Sequence, residues 1–152
     1  MKQLLLICAV VALVGGCVST PVVITNPDVE AAIRAAAKKP TGELTQADFE
    51  KVTKLNLEHK KLTSVKGLEK LTQLKALDLS GNQLTDVTGL EKLTKLTELD
   101  LYSNQLTNVN GLEKLTQLEG LWLEDNPALT KEQIIELHKA LPNCRIHSHD
   151  FK

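Results

Sequence analysis

Leu74-Lys75-Ala76-Leu77-Asp78-Leu79-Ser80-Gly81-Asn82-Gln83-Leu84 reads LxxLxLxxNxL, and the pattern returns on both sides of it. The leucine before the turn is Leu79, and its counterparts Leu57, Leu101 and Leu123 follow at intervals of 22 residues. The linking segments repeat as well: Leu62 to Leu74 is matched by Leu84 to Leu96 and by Leu106 to Leu118. A period of this length marks stacked coils of chain. Within a copy, Leu77 and Leu79 alternate with Ala76, Asp78 and Ser80, the period of a short strand with one buried face. So short a strand cannot stand alone, and each coil needs a neighbour to cover its apolar ends. The strands must then run parallel in one sheet.

Columns of like residues run through the copies besides the leucines. Asn82, Asn104 and Asn126 fall where the chain turns inward, a position at which backbone groups would otherwise be buried without partners. An amide donates and accepts at once, so a stacked column of them is expected to satisfy the bends of adjacent coils. Lys60 takes this position in the first copy, which marks an edge coil. Gly67, Gly89 and Gly111 form a second column, consistent with a backbone conformation that a side chain would obstruct. Glu69, Glu91 and Glu113 beside Lys70, Lys92 and Lys114 read as a solvated face with compensating charges.

The motif LxxLxLxxNxLTxVxGL at this period resembles the leucine-rich repeats, specifically the short-repeat bacterial, internalin-like class. The resemblance covers Val52 to about Ala128. It implies an α/β solenoid whose short parallel strands line a concave surface used to bind other macromolecules, usually proteins.

Outside the repeats the chain divides into smaller parts. Residues 1–16 have a basic start at Lys2, an apolar run from Leu4 to Val14 and a small-residue exit, the layout of a signal peptide too short to span a membrane. Val14-Gly15-Gly16-Cys17 resembles a bacterial lipobox, which implies that Cys17 becomes the lipid-modified first residue. Residues 17–26 then read as a tether, and 27–152 as the repeat domain, with an N-terminal cap over 27–51, repeats over 52–128 and a C-terminal cap over 129–152. Val18 and Ser19 lack the aspartate that, in enterobacterial lipoproteins, resembles an inner-membrane retention signal. The expectation is an exported, lipid-anchored protein, with outer-membrane placement favoured.

The caps have their own signals. Asn26 before Pro27 can cap a helix with Val29 and Ile33 on its apolar stripe, ending before Pro40. Thr45 and Asp48 have capping-box spacing, leading through Phe49 into a first strand near Lys54 to Leu57. After Asn126 the repeat breaks off, and Thr130 with Gln133 opens a helix whose buried face is Ile134, Leu137, Ala140 and Leu141. Cys144-Arg145-Ile146 is expected to form a closing edge strand with the thiol pointing inward.

Several kinds of chemistry find no support. The formal net charge of −1 argues against a general nucleic-acid or anionic-membrane binder. There is no Gly-rich phosphate loop and no paired-carboxylate signature. Cys144 has no histidine placed to activate it, and no cofactor is implied. His147-Ser148-His149-Asp150 holds metal-ligand types without a closing ligand, and reads as a solvated tail. The concave strand face is the better candidate. Trp122 and Tyr102, the chain's single Trp and single Tyr, both fall on outward strand positions, one coil apart. Asp78, Glu98, Asp100 and Glu124 surround them, and the two rings are expected to form one contact. Aromatic anchors dominate interfaces. The expected function is therefore non-enzymatic binding of a protein partner by a monomer through this face. The alternative is a structural envelope scaffold without one specific ligand.

Overall fold

A computed structural model describes residues 23–149. Five three-residue strands, β1 Lys54–Asn56, β2 Ala76–Asp78, β3 Glu98–Asp100, β4 Gly120–Trp122 and β5 Arg145–His147, form one parallel sheet in chain order. Register follows the repeat, so Leu55, Leu77, Leu99 and Leu121 stand side by side with Ile146. Hydrogen bonding continues past each strand: Leu57, Leu79 and Leu101 donate their N–H groups to the carbonyls of Asp78, Asp100 and Trp122 in the next coil. Opposite the strands, three 3-10 turns at Leu68–Lys70, Leu90–Lys92 and Leu112–Lys114 bring the chain back, each burying its leucine. The core is a continuous leucine column from Ile24 to Cys144.

The asparagine column works across coils. Asn104 accepts from Leu84 N–H (3.1 Å) and donates to the carbonyls of Leu79 (3.0 Å) and Leu101 (3.1 Å). Asn82 and Asn126 make the same set of bonds one coil earlier and one coil later. Each amide thus closes its own bend and reaches back to the coil before it. The first repeat has no repeat before it to serve, which is why Lys60 is tolerated at this position.

The glycine column is explained by backbone angles. Gly67, Gly89 and Gly111 have φ of 98°, 109° and 96°, strained for any side chain. The glutamate column departs from expectation. Glu69, Glu91 and Glu113 fold back on the turn, each carboxylate accepting from the N–H of the glycine two residues earlier at 2.6 Å. They cap the open start of each 3-10 turn rather than merely facing solvent. Hydrogen bonds from the N–H groups of Glu91 and Gly89 accordingly hold the Glu91 carboxyl below its ordinary range.

Helix α1, Pro27–Ala36, is capped by Asn26, whose side chain accepts from Asp28 and Val29 N–H, and it buries Val29 and Ile33 over the first coil. The core begins earlier than Pro27, because Ile24, inside the stretch expected as tether, is only 7% exposed. Helix α2, Gln46–Phe49, opens on the expected box: Asp48 accepts from Thr45 N–H (3.0 Å) and hydroxyl (2.8 Å). Asp48 is buried and also pairs with Lys39 (2.7 Å) and Lys51 (3.1 Å). The Lys39 contact first, then the Thr45 bonds, drive its carboxyl far below the usual range. A carboxylate depressed on folding adds stability that is complete above its unfolded pKa of about 4 and fades as pH falls toward the folded value. Asp48→Asn should therefore lower the melting temperature at neutral pH, with the gap to wild type narrowing as melts are repeated below about pH 4. A constant gap across pH would refute the ionic role.

Helix α3, Lys131–Ala140, has the Thr130–Gln133 box in place. Its buried face is narrower than expected, since Ile134, Leu137 and Leu141 are covered while Ala140 is exposed. Cys144 lies in the turn before β5, buried as expected, and Arg145–His147 form the strand. No described helix is long and apolar enough to cross a membrane. The signal peptide, Cys17 and Asp150 lie outside the described residues.

Candidate functional site

Strand alternation sends the central residue of each strand inward and its two neighbours to the open face of the sheet. On that face two rows cross the strands: Lys54, Ala76, Glu98, Gly120 and Arg145, and beside it Asn56, Asp78, Asp100, Trp122 and His147. Between the rows lies an open concavity of about 510 Å³, lined by Lys54, Asn56, Ala76, Asp78, Glu98, Asp100 and Trp122 over the leucine floor. Of the residues expected to bind, Trp122, Asp78, Glu98 and Asp100 are brought together here.

The indole of Trp122 is held from two sides. Its six-membered ring lies over Gly120, where an added Cβ would fall 2.8 Å from Cη2, so only glycine leaves room for it. The imidazole of His147 stacks on it, with centroids 5.4 Å apart and planes 1° from parallel. This stack, not the expected Trp122–Tyr102 contact, is the aromatic pair found among the described residues: the register sets Asp100 rather than Tyr102 beside Trp122 on β3, while β5 sets His147 beside it on the other side. The histidine segment is likewise no free tail. Asp125 N–H donates to His149 Nε2 at 3.1 Å, and among the described residues no group of three or more His, Cys, Asp or Glu is placed to hold a metal ion.

Tyr102 lies past the end of β3, on the rim. It is 45% exposed, and the Asp125 carboxylate beside its hydroxyl raises the phenol's pKa through hydrogen bonding and charge. Glu124 shares this rim, with an enclosed Oε2 that has no hydrogen-bond partner. The binding residues read from the sequence thus fall into a groove set and a rim set. Ser80, counted among the outward positions, is buried and donates its hydroxyl to Asp78 (2.7 Å).

Electrostatics in the groove are unbalanced. Asp78 accepts from Asn56 Nδ2 (3.0 Å), and Asp100 accepts from Tyr102 N–H (2.9 Å). Burial, followed by the charges of Asp78, Glu124 and Glu58, pushes the Asp100 carboxyl above its ordinary range. No Lys or Arg among the described residues pairs with Asp78, Glu98 or Asp100. Elsewhere, burial raises the Cys144 thiol, the reverse of what an activated nucleophile needs.

Comparisons with known proteins agree with this architecture. A family model described as leucine-rich repeats in two copies matches residues 50–92 and 94–137, more than half of the chain. Among solved structures, internalin C2 from Listeria monocytogenes is similar at 30% identity and a TM-score of 0.76, over 88% of this chain and 59% of that one. The internalin InlF from the same organism is similar at 30% identity and a TM-score of 0.71, over 85% and 38%. The functional domain of its InlJ, which includes a cysteine ladder, matches at 27% identity and a TM-score of 0.56, over 78% and 25%. The chain therefore spans less than two thirds of the length of each. A comparison with curated protein sequences found no match.

Proposed function

The chain belongs to the leucine-rich repeat family, in its bacterial internalin-like form, and from that premise we propose that it is a non-enzymatic, exported lipoprotein that binds a protein partner through the open face of its sheet. The observation that carries the binding role is the groove itself. A side chain as large and apolar as Trp122 stands on the surface of a parallel sheet, propped by Gly120 and His147, beside carboxylates that no cation of the described chain neutralises. Repeat stability does not require such a ring there, since the corresponding positions in the preceding coils are Asn56, Asp78 and Asp100. Aromatic anchors ringed by polar groups are what protein interfaces use. Tyr102 and Glu124 extend the surface over the rim.

A pull-down from cell-envelope extract, run in parallel with wild type and with Trp122→Ala, tests the reading. A partner retained by wild type and lost with Trp122→Ala supports it; equal recovery moves binding off this face, toward the scaffold role or the convex side. The anchor rests on the lipobox-like Val14-Gly15-Gly16-Cys17. Stable attachment takes more than one membrane signal, and mature bacterial lipoproteins carry several acyl chains. Cys17→Ser should therefore release the protein from membranes or leave an uncleaved precursor. Unaltered fractionation and gel mobility would remove the lipid anchor.

A further inference from the structure

Resting on the concave-face reading above, we propose that the groove beside Trp122 is an arginine-binding slot, which takes the guanidinium of one arginine side chain projecting from the partner. One face of the indole is covered by His147, which lies toward β5. The other face looks across the groove toward β3 and β2, where Asp100 and Glu98 stand in one coil and Asp78 in the coil before it. A planar cation placed there meets an aromatic face on one side and carboxylate oxygens on the other.

Both halves of that arrangement favour guanidinium over other groups. A flat, weakly hydrated cation stacks on indole, and its fork of donors matches carboxylates, whereas an ammonium is a compact, strongly hydrated point charge. An apolar partner side chain would leave Asp100 half-buried against Asp78 and without a counter-charge, the very circumstance that a cation relieves. The concavity, about 510 Å³ and open to solvent, admits an arginine side chain reaching in from a partner's surface. The chain's own cations do not fill the slot. Lys54 lines the groove from β1, three strands and on the order of 14 Å from the indole, and Arg145 belongs to β5, on the side that His147 covers.

Trp122 is the chain's sole tryptophan, so indole fluorescence reports the slot directly. The full chain, held in non-ionic detergent, would be titrated at neutral pH with capped Ser-Gly-Xaa-Gly-Ser peptides in which Xaa is arginine, lysine, citrulline or leucine. The expected result is a saturable change with arginine, weaker by about threefold or more with lysine and absent with citrulline and leucine. Asp100→Asn, which keeps the acceptor for Tyr102 N–H, should weaken the arginine peptide by about tenfold. Citrulline binding as well as arginine would overturn the assignment, as would a response to leucine alone or to none of the peptides. Failure here is distinguishable from failure of the concave-face reading. If a partner is captured through Trp122 while the arginine peptide does not bind, only the guanidinium assignment falls. If the peptide binds as expected but Trp122→Ala still captures the partner, the slot's affinity for guanidinium stands, while its use by that partner and the concave-face reading both fall.

Discussion

Asn104→Ala is expected to lower the stability of the domain by about 3 kcal/mol in denaturant melts, against less than about 0.5 kcal/mol for Lys60→Ala. The difference follows from what each side chain leaves behind. The carbonyls that Asn104 serves are shared: Leu79 O also accepts from Asn82, and Leu101 O also accepts from Asn126. Leu84 N–H is not shared. It donates to Asn104 Oδ1, so truncation leaves a buried donor unmet, at a cost of roughly 1–3 kcal/mol beyond the bonds lost. Lys60 is exposed and holds no such position. Equal, small losses in the two variants would contradict the cross-coil role of the amides.

Trp122→Ala should weaken binding of the protein partner by at least about 2 kcal/mol, while thermal melts change little. The ring stands on the open face of the sheet, so its removal uncovers His147 and Gly120 but opens no cavity among the leucines. Asp100→Asn should act differently, mainly slowing association and reducing its salt dependence, because the substitution removes charge while keeping the oxygen that accepts from Tyr102 N–H. Titration of both variants against the partner, with association and dissociation rates resolved, separates the two effects. Unchanged affinity in both would place the interface outside the groove.

The coils could be read from the sequence because their determinants are local and repeat at one interval. Leucine alternation fixes the buried side of each strand, the asparagines mark the bends, and the common period fixes the parallel register. The caps were equally readable at Asn26, Thr45 and Thr130, where short side chains precede helices. The stack of His147 on Trp122 was not. Glu98 to Gly120 is a step of 22 residues, but Trp122 pairs with a residue 25 positions on, because α3 lengthens the last coil. Counting by the repeat would put Cys144 beside Trp122 and leave the histidines as tail. The glutamate column escaped for another reason. A carboxylate that turns back to a backbone N–H two residues away has the same sequence spacing as one in solvent, and only the left-handed glycine fixes the choice.

The backward reach of the asparagines also bears on how such a chain changes length over generations. Each amide closes the coil that carries it and the coil before, so excising or duplicating one whole 22-residue unit joins two coils with the same complementary edges. No donor or acceptor is orphaned by such an event. A step of any other size would carry the next asparagine away from its N–H and turn leucines toward water. Unequal recombination within the gene can therefore widen or narrow the sheet by single strands, carrying the cap strand and its histidine outward unchanged. The groove between the first strand and Trp122 is the dimension that such events would reset.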